Sequence, residues 1–323
     1  MVPIHGICRL AVLGLGTMGH GIAQTFALAG YDVTCFDESA SVRNSLIERV
    51  RENLAAFVAA ELVGPEQVEP TLAHLHLADS EEEAVADCQF LTEAIPEDLA
   101  AKQAVLARLE RIMAPETILA SNSSSFPISQ SGRLLEHPER ALVTHWFNPP
   151  HLTPVVEVVP GPRTSAEIVQ ATMQLLTHIG KMPIHVRREL PGFLVNRVQV
   201  AIQREVWNLV EQGVATREEI DAAIRGTVGF RFAVMGPLEI HDFAGLDIQL
   251  ATYRNLVGEI RSDTIAPAVL DGLVAEGHLG IKTGRGFYDY SHERLVARRT
   301  RRDSILLKLW KLLYRDGPSA GIS

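Results

Sequence analysis

The chain has 323 residues, 46% of them hydrophobic and 21% charged, with a formal net charge of −9; the length fits two domains better than one, in an ordinary globular composition. The acidic balance argues against a general nucleic-acid binder, and no apolar run reaches the roughly 18 residues that a membrane span needs. Cys8, Cys35 and Cys88 are scattered in a pattern that fits neither zinc nor a disulfide framework, and the N-terminus does not read as a targeting segment, so the expected compartment is the cytoplasm.

Residues 7–13 form a short apolar run that reads as a buried strand. It leads directly into Gly14-Leu15-Gly16-Thr17-Met18-Gly19, then a helical pattern to about Leu28, then a second strand, Tyr31 to Asp37. Strand, glycine turn, helix, strand and terminal acid together make a dinucleotide-binding fingerprint, which a lone GxGxxG does not. Gly14 permits the tight turn, Gly16 lets a pyrophosphate approach the backbone, and Gly19 lets helix and strand pack closely. The helix N-terminus offers N–H groups and a positive dipole end to the phosphates. Asp37 accepts hydrogen bonds from a ribose 2′-hydroxyl and repels a 2′-phosphate, so the expected cofactor is NAD rather than NADP.

Residues 40–63 have apolar positions at helical spacing, and Gly64-Pro65 stops them. His74 and His76 share one face of a short strand. They read as a solvated face rather than metal ligands, because no third ligand is in view. Cys88 to Ile95 is the next strand, followed by Pro96-Glu97-Asp98 and a helix that carries Lys102. The strand at 117–121 delivers Asn122-Ser123-Ser124-Ser125 to the same edge. Serines in a row often cap a helix, but an open parallel sheet binds its ligands at the C-terminal ends of its strands. Glu97, Lys102 and the serines therefore lie where a cofactor or substrate passes.

Thr144 to Val159 reads as strand, turn and strand, with His145 and Glu157 brought together by the fold. A histidine oriented by a carboxylate moves protons near neutral pH, although buried His–Glu pairs also serve as plain structural hydrogen bonds. A helix at 165–178 and a strand at 183–186 complete the alternation. The fold class is α/β: a Rossmann-type doubly wound sheet, with room for an antiparallel edge, followed by an all-helical C-terminal domain. The division expected is 1–188 for NAD binding and 189–323 for the helical domain, with Asn196 in the first turns of its opening helix. Lys282 to Gly286 reads as a loop carrying a cation. Arg294 to Tyr314 reads as a basic amphipathic helix; in an acidic protein it packs on its own chain or a partner subunit in preference to a membrane.

These stretches resemble the 3-hydroxyacyl-CoA dehydrogenase superfamily over essentially the whole chain. The resemblance rests on the glycine turn; Glu93-Ala94-Ile95-Pro96-Glu97 with Lys102; Ser121 to Ser125; and His145-Trp146-Phe147-Asn148-Pro149-Pro150. It continues in Pro191-Gly192-Phe193 with Asn196-Arg197, and in Lys282 to Tyr288. It implies an NAD-dependent dehydrogenase whose helical domain forms a homodimer. It also implies His145 as catalytic base, Glu157 as its orienting partner, and Ser124 and Asn196 as the groups holding the substrate oxygen. Gly14 to Gly19, Asp37, Glu97, Lys102, Ser124, Asn148 and Lys282 then form the cofactor shell. One departure bears on substrate. Acyl-CoA enzymes of this superfamily carry a lysine cluster on the helix after the second strand, and Asn53 to Glu61 holds no lysine, which removes charge-assisted contacts to the CoA phosphates. Asn148-Pro149-Pro150-His151 and Ala244 to Ile248 look more like the small-substrate branches: the λ-crystallin/L-gulonate dehydrogenase type, a pyridine-carboxylate dehydrogenase of vitamin B6 breakdown, and carnitine dehydrogenase. The substrate expected is a small hydroxy or keto acid. A true hydroxyacyl-CoA enzyme and a non-catalytic, crystallin-like NAD binder remain the alternatives.

Overall fold

Short runs rich in β-branched residues form eight strands: β1 (Arg9–Leu13), β2 (Asp32–Phe36), β3 (Leu75–Leu77), β4 (Phe90–Glu93), β5 (Ile118–Ser121), β6 (Ala141–Trp146), β7 (Val155–Pro160) and β8 (Met182–His185). In this computed structural model, which describes residues 6–315, they build one sheet in the order β3-β2-β1-β4-β5-β6-β7-β8. Strands β1 to β6 are parallel to their neighbours, whereas β7 is antiparallel to β6 and β8 is parallel to β7. The antiparallel edge is thus two strands wide. The short link between β6 and β7 makes the first reversal, since a parallel return needs a crossover of a dozen residues or more.

Helices α1 (Gly19–Leu28), α2 (Ala40–Asn44), α3 (Leu46–Ala59), α4 (Val68–Ala73), α5 (Glu81–Val85), α6 (Leu99–Glu110), α7 (Ile128–Ser131) and α8 (Ala166–His178) flank the sheet. The two-residue period of β1 sorts its side chains between two cores. Leu10 and Val12 join Phe26, Phe90 and Trp146 on the α1, α3 and α8 face. Ala11 and Leu13 join Leu106, Leu109 and Phe193 on the α6 and α7 face. The helix expected over 40–63 is two helices. Ser45 marks the junction, with φ of −84° and ψ of −7°: its backbone N–H keeps the helical bond to Ser41 O, and its hydroxyl donates to Val42 O.

The remaining helices are α9 (Val195–Glu211), α10 (Arg217–Ile224), α11 (Phe230–Phe232), α12 (Pro237–Ala244), α13 (Leu246–Leu256), α14 (Ala268–Ala275) and α15 (His292–Trp310). The chain divides into two compact units. The first runs to Asn196 and resumes at Asp303; the second is Arg197–Arg302. The end of α15 belongs to the first unit because Leu307 is buried and Lys311 pairs with Glu61. Within the second unit, Arg261 pairs with Glu211 and the Tyr288 hydroxyl donates to Asp221. Among the described residues no helix is long and apolar enough to cross a membrane.

Candidate active site

The C-terminal edge of β1 carries the glycine turn, and two glycines in it meet contacts that no other residue satisfies. Gly14 has φ of 84°, and a Cβ there would stand 2.6 Å from Ala94 O. A Cβ at Gly19 would stand 1.7 Å from Gly14 O. The turn is held from β2 by Asp37, whose Oδ2 accepts the Leu15 N–H at 2.7 Å and whose Oδ1 accepts that of Ser39 at 2.9 Å. Helix α1 begins at Gly19 with no side-chain cap and no acid in its first turn, so its positive end is unopposed. A cleft of about 670 Å³ opens here, lined by Gly14, Gly16, Thr17, Met18, Asp37, Glu97, Asn122 and Ser124 among others. The turn, the acid and the bare helix end suit a dinucleotide. Leu15 and Gly19 are buried behind this wall.

Across the cleft, β4 and β5 supply the serine loop. Glu97 Oε1 accepts four hydrogen bonds, from the hydroxyls of Ser123 and Ser125 and the N–H groups of Ser124 and Ser125, at 2.7 to 2.9 Å. Burial pushes the Glu97 pKa up, but the Ser123 and Ser125 hydroxyls and the Lys102 ammonium outweigh it, and the net direction is down. Lys102 lies behind the loop and does not line the cleft. It is fully buried, 2.8 Å from Glu93 and 3.5 Å from Glu97, and Glu93 also accepts the Ser121 hydroxyl. The expected cofactor cation is therefore a buried brace for Glu97. Glu93 was not among the expected site residues, although it opens the Glu93-to-Glu97 stretch on which the resemblance rests.

Strands β6 and β7 pair His145 directly with Glu157. His145 Nδ1 is 2.7 Å from Glu157 Oε2, with the two residues 3% and 0% exposed. Glu157 Oε1 accepts the N–H groups of Leu194 and Val195, both at 2.9 Å, where α9 starts. A buried carboxylate is thus satisfied by three donors. The imidazole packs against Phe147 and Phe193, with ring centroids 4.5 and 5.5 Å away. Phe193 has φ of 50°, in the left-handed region, directly after Gly192 at 74°. These neighbours went unread in the sequence, where Pro-Gly-Phe signals only a helix start.

Two catalytic candidates from distant segments, Ser124 and Asn196, meet. Asn196 Nδ2 donates to Ser124 O at 2.9 Å, and Asn122 Oδ1 accepts the Trp146 N–H at 3.0 Å, tying the serine loop to the strand that carries His145. Asn148 is exposed on the turn after β6. Lys282 belongs to the second unit, where it lines a cavity of about 570 Å³ with Asp221 and Tyr288. His74 and His76 converge on Asp32, at 2.7 and 3.5 Å, as an exposed cluster, and the described residues hold no group of three side chains that suits a metal.

Two family descriptions match the chain in tandem: the NAD-binding domain of 3-hydroxyacyl-CoA dehydrogenase over residues 9–190, and the C-terminal domain of the same enzymes over residues 192–290. The chain belongs to the 3-hydroxyacyl-CoA dehydrogenase family. It is an NAD-dependent oxidoreductase acting on a CH–OH group of a small-molecule substrate. It is 33% identical over 309 residues to the 5-formyl-3-hydroxy-2-methylpyridine 4-carboxylate 5-dehydrogenase of Mesorhizobium japonicum, covering 95% of this chain and 98% of that one. A solved structure of a dehydrogenase with that activity, described as an NAD⁺-dependent dismutase, superposes with a TM-score of 0.88 at 30% identity, covering 97% of this chain and all (100%) of the other. The (S)-3-hydroxybutyryl-CoA dehydrogenase of Ralstonia eutropha superposes with a TM-score of 0.72 at 32% identity, over 88% of this chain and 100% of its own. The pyridine-carboxylate relative thus matches more of this chain, and matches its shape better, at nearly equal identity.

Proposed function

We propose that this family member uses NAD to oxidise a secondary alcohol on a compact, carboxylate-bearing substrate, or to reduce the matching carbonyl, with His145 carrying the proton. The buried His145–Glu157 pair carries this reading. With Nδ1 committed to Glu157, Nε2 is the nitrogen that takes the substrate hydroxyl proton, and the carboxylate stabilises the imidazolium that results. Ser124 and Asn196 hold the substrate oxygen at the mouth of the serine loop. The glycine turn and Asp37 bind the adenosine half of the cofactor, with Glu97 and Asn148 completing its shell. NAD, when bound, supplies the acceptor for the carbinol hydride.

Helix α3 supports a compact acid over a CoA thioester. Its two arginines are already engaged: Arg49 Nη2 donates to Leu15 O at 2.6 Å and Arg51 pairs with Glu69. A CoA phosphate would have to displace these partners, and α3 holds no lysine to add. The compound named for the Mesorhizobium relative carries a formyl group and no secondary alcohol, so a 3-hydroxy acid is the first candidate and a pyridine carboxylate the second. The proposed assembly is a homodimer through the second unit, where Leu238 and Phe243 are each 80% exposed and α9 buries none of its side chains among the described residues. The proposed compartment is the cytoplasm, in keeping with three free thiols.

The test is an NADH-fluorescence screen of purified protein against pyridine carboxylates, 3-hydroxy acids, carnitine, L-gulonate and acetoacetyl-CoA, run with NAD(H) and NADP(H). The expected result is turnover of one compact acid, strong preference for NAD, and little activity on the thioester. Efficient reduction of acetoacetyl-CoA would move the substrate to the acyl-CoA class. Tight NADH binding with no turnover of any compound would make the protein a non-catalytic binder.

A further inference from the structure

A second cavity, of about 310 Å³, lies in the first unit and shares no lining residue with the NAD cleft. Its walls come from α1, α3, the end of α8 and the C-terminal tail, with Leu28, Phe57, Leu307 and Trp310 as the apolar surface. A void of this size exceeds a packing defect in a close-packed interior and falls in the range of small-ligand pockets. The tail that closes it lies beyond residue 290, where the second family description ends. It is held in place by burial of Leu307, 3% exposed, and by the 2.7 Å Lys311–Glu61 pair.

The polar groups on this cavity are mainly donors. Gln24 is 1% exposed; its Oε1 accepts Asn53 Nδ2 at 2.8 Å, and its Nε2 has no hydrogen-bond partner among the described residues. His178 Nε2 likewise has none among them, and donates or accepts according to the tautomer of the ring. Lys181, 7% exposed, donates to Pro150 O at 2.7 Å and Thr153 O at 2.9 Å and lies 5.4 Å from the Trp146 ring centroid. Two of its three donors go to these carbonyls, and the Trp146 ring lies within cation–π range of the charge. Buried donors are nearly always satisfied in a folded protein, so the site calls for an acceptor-rich group.

We propose that this cavity is a binding site, separate from the NAD cleft, for a compact monocarboxylate with an apolar body, its carboxylate meeting Gln24 and Lys181 and its body lying against Phe57, Leu307 and Trp310. Burial lowers the Lys181 pKa to about 7, and a carboxylate at this position holds the ammonium charged.

Benzoate is the probe, followed by tryptophan fluorescence and thermal melting of the full chain, with benzyl alcohol as the neutral isostere. The expected result is saturable quenching and a raised Tm with benzoate, and binding of benzyl alcohol at least about tenfold weaker. Gln24→Leu should weaken benzoate by about tenfold or more, and Ala29→Phe, which plugs the cavity, should abolish its binding while NADH still binds. No saturable response in the wild type, or an unchanged titration in Ala29→Phe, would overturn the site; equal binding of both probes, or an unchanged Gln24→Leu, would overturn the carboxylate assignment. If a variant fails to fold, crystals soaked in 4-bromobenzoate decide. An anomalous peak between Gln24 and Trp310 supports the proposal, and a peak only in the NAD cleft, or none, ends it.

Discussion

Lys102 shows how far a residue's role depends on where its charge ends up. Sequence motif alone assigns it to the cofactor shell, yet it is buried between Glu93 and Glu97 and reaches the cleft only through Glu97. Removing one member of a buried ion pair leaves an uncompensated charge, so Lys102→Met should cost about 3–5 kcal/mol in urea unfolding. Glu97 makes a second prediction. Its carboxyl is held below the ordinary 4.5, the serine hydroxyls and Lys102 outweighing burial. A depressed carboxylate contributes stability above its unfolded value and loses it as pH falls through the folded value. Glu97→Gln should therefore flatten the pH dependence of stability below about pH 4.5, measured by thermal melts against the wild type. For His145, the pair geometry predicts that His145→Asn loses roughly 10²–10⁴-fold in kcat while NADH titration stays near normal. Near-normal turnover would remove His145 from the mechanism.

At the scale of elements, the site is a product of strand ends and one helix start. The antiparallel turn back from β6 to β7 sets His145 opposite Glu157, and the start of α9 then fills the other carboxylate oxygen with two N–H groups. Phe193 joins the two, 1% exposed, in the left-handed region and against the imidazole. Phe193→Ala should cost about 3–5 kcal/mol as a large-to-small core change. It should also lower kcat more than it raises KM, because the imidazole loses a wall while the cleft is untouched; steady-state kinetics at matched folded fraction check this. An unchanged kcat would make Phe193 purely a packing residue. The strands and the His–Glu pair were legible because β-sheet period and register follow local pattern. The junction at Ser45 and the contact of Phe193 with the imidazole were not: one turns on the geometry of a single residue, and the other joins residues far apart in the chain.

For the whole molecule, the most exposed large hydrophobic residues among those described lie in the second unit, with Phe230, Leu238 and Phe243 all at 73% or more. A homodimer through this unit predicts that Phe243→Asp shifts the mass seen by light scattering from two chains to one, and leaves the wild type dimeric. The sequence by itself determined the family, the dinucleotide fingerprint, the use of NAD and the alternation that builds the sheet, because each depends on residue types at short, fixed spacing. Tertiary structure alone decided which groups meet: Asn196 on the Ser124 carbonyl, Lys102 on Glu93 and Glu97, α3's arginines on Leu15 and Glu69, and the tail folded back over a second cavity. Those outcomes depend on burial and on contacts across scores of residues, where a charge is either solvated or paired according to what the fold brings beside it.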